Sequence, residues 1–254
     1  PFQQLEQNIQ RQYGLKEVIC VPSTGEESLN KRLGIAAAKY LTRITKADAT
    51  IAISAGTTIH EAAVNFSAKN HLPNVRFIPL VGGLGREHAT LQANVLCELF
   101  ASKCGAVAVE LHAPITVDSA EAREVFLNQS FIKNVFEKAR NADISLVGIG
   151  GTPVYSTMTK AYLAKEEGMK LEFTNGTIVG DICYNFIDEA GALVDCEWNK
   201  RVLSLEVADL KRIPLKIAAA GGKDKVKGIK AALTGDWVDV LITDEDTAKA
   251  LLNG

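Results

Sequence analysis

The sequence predicts an α/β fold with a largely parallel sheet flanked by helices, and three observations predict it. Short apolar runs of strand length recur along the chain, segments of helical periodicity separate them, and glycines cluster where four of the runs end. The expected strands are 17–22, 49–54, 74–80, 106–111, 143–149, 214–220 and 237–243. Between the first two, Leu29, Leu33, Ala36, Ala37, Tyr40, Leu41 and Ile44 recur at helical spacing, so 27–44 predicts a crossover helix. The same reasoning predicts helices over 58–69, 91–104, 129–140, 156–167, 223–233 and 244–252. Asp118 and Glu121 read as cap and first-turn acids of a further helix after Pro114. Segment 172–205 breaks the pattern: Gly176, Gly180 and Gly191 punctuate runs such as Thr177-Ile178-Val179 and Tyr184-Asn185-Phe186-Ile187, which predicts a small β excursion beside the main sheet. No repeat, low-complexity tract or long linker interrupts the chain, so residues 1–254 are expected to form one domain.

Composition narrows the function. With 254 residues, 47% hydrophobic and 23% charged, the chain can bury a substantial core. Its formal net charge is −2 with Lys and Arg scattered, so this segment carries no footprint for nucleic acid. Cys20, Cys97, Cys104, Cys183 and Cys196 are odd in number and form no C-x-x-C. That pattern argues against a disulfide framework or zinc ribbon, and reduced thiols in the cytoplasm are expected. No apolar run of 18 residues and no basic-then-apolar leader is present, which argues against membrane spanning or secretion. The sequence opens at Pro1 without Met, as a fragment would.

The most informative residues are Ser54-Ala55-Gly56-Thr57-Thr58, where the apolar run 49–53 hands over to a predicted helix. The first N–H groups of a helix lack intrahelical partners and carry partial positive charge. Gly56 lets the backbone approach a ligand, and the hydroxyls add donors. The guest that chemistry suits is a phosphate; alternatively, Ser54 or Thr57 simply caps the helix. Ligands of open parallel sheets bind outside the carboxyl ends of the strands. Three more expected strand ends carry glycines: Val81-Gly82-Gly83-Leu84-Gly85, Gly148-Ile149-Gly150-Gly151-Thr152 and Ala220-Gly221-Gly222-Lys223-Asp224-Lys225. Together they point to one polar ligand approached closely by backbone. None matches a dinucleotide or P-loop fingerprint, which disfavours NAD and ATP; no cofactor or metal is expected.

Lys225 falls in the first turn of a predicted helix, where a cation opposes the macrodipole. Three readings stay open. An anion compensates it, a sugar carbonyl condenses with it as a Schiff base, or it joins Lys223, Lys227 and Lys230 on a solvated face. Asp181 either accepts sugar hydroxyls or is a turn aspartate. An enzyme moving a proton beside a carbonyl would need a positioned base, yet His60, His71, His88 and His112 show no acid partner at recognisable spacing. Trp198, in the polar stretch Cys196-Glu197-Trp198-Asn199, reads equally as a pocket lid or a subunit contact.

Several motifs agree in order and spacing over about residues 5–252. They are Ser54-x-Gly56-Thr57-Thr58, Pro79-x-x-Gly82-Gly83 followed by Gln92-x-Asn94, the run 143–150, Val179-Gly180-Asp181, Ala220-Gly221-Gly222-x-x-Lys225, and Asp239-Val240-Leu241-Ile242-Thr243-Asp244-Glu245-x-Thr247-Ala248. In this the chain resembles the effector-binding domain of SorC-type sugar-responsive transcriptional regulators, including the deoxyribonucleoside regulator. The resemblance implies a Rossmann-like domain similar to glucosamine-6-phosphate deaminases and ribose-5-phosphate isomerases, which binds a phosphorylated sugar and reports it to operator DNA. It places a helix-turn-helix domain, absent from this sequence, on the N-terminal side, and it implies a homodimer or homotetramer. By position, Ser54, Gly56, Thr57 and Thr58 would hold the phosphate, and Gln92, Asp181 and Lys225 would line the sugar or a second anionic group. Where relatives responding to a bisphosphate carry an arginine, this chain has Val81, which favours one phosphate; Arg86 and His88 in the same loop are the available substitutes. A sugar-phosphate isomerase or deaminase on the same fold is the alternative function.

Overall fold

The computed structural model describes residues 1–152 and 176–254; the helix expected over 156–167 and the start of the 172–205 excursion lie outside the described residues. The chain opens with helix α1 (Gln3–Tyr13), strand β1 (Glu17–Val21), α2 (Leu29–Ile44), β2 (Thr50–Ile53), α3 (Thr57–Asn65) and β3 (Arg76–Pro79). A 3-10 helix (Arg86–Leu91), α4 (Ala93–Ser102), β4 (Val107–Ala108), α5 (Ala120–Leu127), α6 (Ser130–Arg140) and β5 (Ile144–Val147) follow. After Gly176 come β6 (Gly180–Ile182), β7 (Asn185–Ile187), α7 (Glu197–Arg201), α8 (Val207–Arg212) and β8 (Leu215–Ala219). A 3-10 turn (Lys223–Lys225), α9 (Val226–Thr234), β9 (Val240–Asp244) and α10 (Glu245–Leu252) complete the chain.

Seven strands form one parallel sheet in the order β1-β9-β8-β5-β2-β3-β4, and β6 and β7 pair antiparallel beside it. This is the Rossmann-like α/β arrangement with its small β excursion. Side chains alternate between two apolar layers, as the two-residue period of a strand requires. Ile51 and Ile53 of β2, Phe77 of β3 and Ile242 of β9 pack with α2, α3 and α4 on one face. Ala52, Ile78 and Leu241 join α1, α6, α9 and the hairpin on the other. Phe77 stacks on Phe100 at 5.2 Å between centroids, with Phe66 edge-on to both, which fixes α4 over β3.

All seven expected strands form, each shorter than expected, although β9 runs one residue past its expected end, to Asp244. The largest difference is β4: a strand over 106–111 is expected, and only Val107–Ala108 pair with β3. The physical reason lies in Asn94, whose side chain accepts from the Leu111 N–H and donates to the Leu111 carbonyl, both at 2.9 Å, drawing the backbone off the ladder. Strand β9 starts at Val240 instead of 237 because Asp236 takes a positive φ of 59° and the Trp237 N–H returns to the Ala232 carbonyl.

β9 lies between β1 and β8, so the last strand is an interior one. The Tyr13 hydroxyl donates to the Leu251 carbonyl at 2.7 Å, tying α1 to α10. Among the described residues no helix is long and apolar enough to cross a membrane.

Candidate functional site

Strand order locates the site. From β2 the chain steps outward to β3 and β4, whereas β5 leads the opposite way to β8 and β9, so the direction reverses between neighbours β2 and β5. At such a switch point the loops leaving adjacent strands diverge and open a crevice. A cavity of about 320 Å³ lies there, lined by Asn30, residues 54–59 after β2, residues 148–151 after β5, Asp181, Cys183 and Tyr184 of the hairpin, and Asp224 and Lys225 after β8.

The phosphate-suited wall is the start of α3. Gly56 adopts φ 124°, a conformation that a side chain strains, and its N–H donates to the Leu91 carbonyl at 3.0 Å. The first bond of the helix runs from the His60 N–H to the Gly56 carbonyl at 3.0 Å. The N–H groups of Thr57, Thr58 and Ile59 therefore have no intrahelical acceptor, and among the described residues no side chain caps them. The Thr58 hydroxyl donates to Asn30 Oδ1 at 3.1 Å, while Thr57 is exposed toward the cavity mouth. Thr57 and Thr58 thus play different parts, since the second is buried and tied to α2.

The opposite wall carries charge. Gly150 and Asp181 exchange backbone hydrogen bonds at 2.9 and 3.2 Å, and a Cβ on Gly150 would lie 1.8 Å from Asp181 Oδ1. Glycine at 150 is what allows the carboxylate to lie flat on the β5 loop. Burial pushes the Asp181 carboxyl up to about 6, offset by the nearby Lys225 ammonium and the Tyr184 backbone N–H. Burial also lowers the Lys225 ammonium from its ordinary value, with Asp181 acting against that. The Cys183 thiol is pushed up to about 12 by burial, partly offset by a hydrogen bond with Ser54 and reinforced by Asp181, so it stays protonated and un-nucleophilic at neutral pH.

Cys183 and Tyr184 turn the hairpin with φ of 49° and 63°, left-handed conformations that cost a residue with a side chain about 1–2 kcal/mol each. The turn is held from beneath: Trp198 Nε1 donates to the Tyr184 carbonyl at 2.6 Å, and the Asn185 amide donates to the Ile182 and Cys183 carbonyls. Trp198 is 2% exposed and packs on Phe186, so it is neither a lid over the cavity nor open to a subunit contact.

Of the residues singled out from sequence, the structure brings Ser54, Ala55, Gly56, Thr57, Thr58, Asp181 and Lys225 together around the cavity. Gly82, Gly83 and Gln92 do not line it. A Cβ on Gly82 would lie 2.0 Å from the Pro114 carbonyl oxygen, and Gly83 exchanges hydrogen bonds with Ala113 and Ile115 at 2.7 and 2.9 Å. Gln92 begins α4 beside Gly83 and follows Leu91, whose carbonyl holds Gly56. Asn30, Cys183, Tyr184 and Asp224 line the cavity without having been singled out. Asn30 stands two residues after Ser28, whose side chain caps α2 by accepting from the Lys31 N–H at 3.2 Å. A polar residue inside the first turn of a crossover helix was the available signal. His112 lies against exposed Glu110 at 3.1 Å, and no histidine lines the cavity. Among the described residues no three metal-ligating side chains converge.

Residues 2–253 match the Sugar-bind family, a sugar-binding domain. The chain belongs to the sugar-binding domain family of SorC-type regulators. The domain is 29% identical to the deoxyribonucleoside regulator of Bacillus subtilis (strain 168), with 100% of this chain and 82% of that protein covered. It is 30% identical to the transcriptional regulator LsrR of Enterobacter sp. (strain 638), over 98% of this chain and 75% of that protein. The crystal structure of the full-length sorbitol operon regulator SorC from Klebsiella pneumoniae superposes with a TM-score of 0.90 at 26% identity, covering 98% of this chain and 80% of that one. The sugar-binding domain therefore has a role in transcription regulation, and its relatives are regulators.

Proposed function

We propose that this sugar-binding domain senses a sugar carrying one phosphate and reports its presence to DNA through a helix-turn-helix domain on its N-terminal side. The observation that carries the reading is the pairing of two unlike walls across one cavity: a helix start whose first N–H groups have no acceptor among the described residues, and the half-buried, electrostatically interacting Asp181 and Lys225. The first suits a phosphoryl group, and the second suits hydroxyls or a carbonyl. Its size supports a monosaccharide phosphate, since about 320 Å³ is at the small end for ligand pockets. Among the described residues Lys225 is the one cationic side chain lining it, which favours one phosphate over two.

The mechanism is linkage: a phosphosugar that binds one arrangement of the homo-oligomer better than another shifts the population, by no more than its differential affinity. The rival is turnover by an isomerase or deaminase, favoured by a carboxyl titrating near 6 beside a desolvated lysine. A thermal-shift panel decides between them, using pentose 5-phosphates, hexose 6-phosphates, hexitol phosphates and their unphosphorylated parents, with NMR of each mixture. Stabilisation by a phosphosugar, absent with its parent and without product, is the expected result. A new isomer or deaminated product would establish the enzyme reading, and equal response to phosphorylated and parent sugars would overturn the phosphate reading.

A further inference from the structure

We propose that Asp244 and Thr247 are positioning residues for the cavity: they clamp the Gly221–Gly222 turn and thereby set where the Lys225 ammonium sits. The proposal rests on the phosphosugar reading above.

Asp244 ends β9, is 2% exposed, and caps α10. Capping alone needs one oxygen and one N–H, here the Thr247 N–H donating to Oδ2 at 3.2 Å. The carboxylate makes three further contacts. Oδ2 accepts the Ser23 hydroxyl at 2.7 Å, and Oδ1 accepts the Thr247 hydroxyl at 2.6 Å and the Gly222 N–H at 3.0 Å. The Gly222 N–H is shared with Thr247 Oγ1 at 2.8 Å. One backbone donor in the loop after β8 is thus held by two side chains from the following strand and helix.

The loop is built to receive that clamp. A Cβ on Gly221 would meet Asp244 Oδ1 at 2.3 Å, so only glycine lets the carboxylate in. Gly222 has φ 109°, which turns its N–H toward the clamp, and its carbonyl accepts the Lys225 N–H at 3.0 Å. Gly222 is therefore pinned on both polar groups, with Lys225 at the end of the single 3-10 turn that follows. Helix capping explains none of these three fits, whereas placing Lys225 explains all of them. Burial alone would raise the Asp244 carboxyl; the hydrogen bonds from Thr247, Ser23 and Gly222 outweigh it and keep the carboxyl below its ordinary value, hence ionised at neutral pH.

Two probes separate positioning from mere folding. Inorganic phosphate, followed by 31P NMR, reads the α3 wall alone. The tightest sugar phosphate of the panel, followed by calorimetry, reads both walls. Thr247→Val is expected to weaken the sugar phosphate about tenfold while leaving inorganic phosphate unchanged, and Thr247→Ser, which restores the hydroxyl, to return affinity to within about twofold. Thr57→Val should weaken both probes. Should Thr247→Val not fold, Ser23→Ala removes one donor from the same carboxylate and is expected to cost the sugar phosphate about threefold with the same selectivity. Parental sugar-phosphate affinity in Thr247→Val, or equal loss on both probes, overturns the positioning role and leaves the phosphosugar reading standing. A parent that binds inorganic phosphate and no sugar phosphate overturns both.

Discussion

The loop after β3 and the loop after β8 look alike in sequence, each a glycine pair closing an apolar run, yet they perform different work. In Gly82-Gly83 the missing side chains admit the backbone of 113–115, joining β3 to the segment that follows β4. In Gly221-Gly222 they admit the Asp244 carboxylate and permit a left-handed turn, which leads to a cavity-lining lysine. A glycine pair at a strand end announces a close approach without saying what approaches. The identity of the visitor depends on strand order: β8, β5 and β2 surround the reversal point, and β3 lies one strand beyond it.

Breaking the β3 loop should give the largest effect. Gly82→Ala forces a methyl onto the Pro114 carbonyl and is expected to cost roughly 3 kcal/mol of stability in urea denaturation, while the molecules that remain folded keep parental phosphosugar affinity. Thr57→Val probes the cavity side. It is expected to lose about 1.5–3 kcal/mol of phosphosugar affinity, ten- to hundredfold by calorimetry, with its thermal midpoint unchanged because Thr57 is exposed.

The next effect is a pH dependence. In the unfolded chain Asp181 ionises near 3.8, and in the folded domain at about 6. Between those values the unfolded state binds fewer protons, so stability falls as pH rises from about 4 to 6. The fall should reach about 2 kcal/mol, below the ~3 of the full shift because Asp181 is only half-buried and solvent screens its charge. Asp181→Asn should abolish that slope in urea titrations run across the window. Gly148→Ala sharpens the comparison at its weak end. Its Cβ meets nothing nearer than 3.9 Å, so stability should stay within about 0.5 kcal/mol.

The sheet was legible because the strands are short, mostly apolar runs, broken only by single polar residues such as Ser145 and Lys216, and helices such as α2 and α6 carry an apolar stripe. What escaped was whatever a distant side chain decides. Asn94 ends β4 seventeen residues away, and nothing in 106–111 announces it. The half of the site made by α3 could be read locally, since a strand, a glycine and two hydroxyls fall within ten residues. Asp181 and Lys225 were found as motif positions, but their meeting depends on Gly150 accepting a carboxylate where a methyl would sit. Asn30 and Tyr184 carry only weak local signals: one is a polar residue in a helix turn, the other a left-handed residue where sequence would favour glycine.

The interior place of β9 sets an order of events during synthesis. Until residues 240–244 leave the ribosome, β1 has no neighbour in the sheet and the Gly222 N–H has no clamp. A nascent chain halted before that point can form the α3 turn against β3 and β5, but its lysine loop has no fixed address. The lysine side of the cavity therefore takes its place only once β9 has entered between β1 and β8.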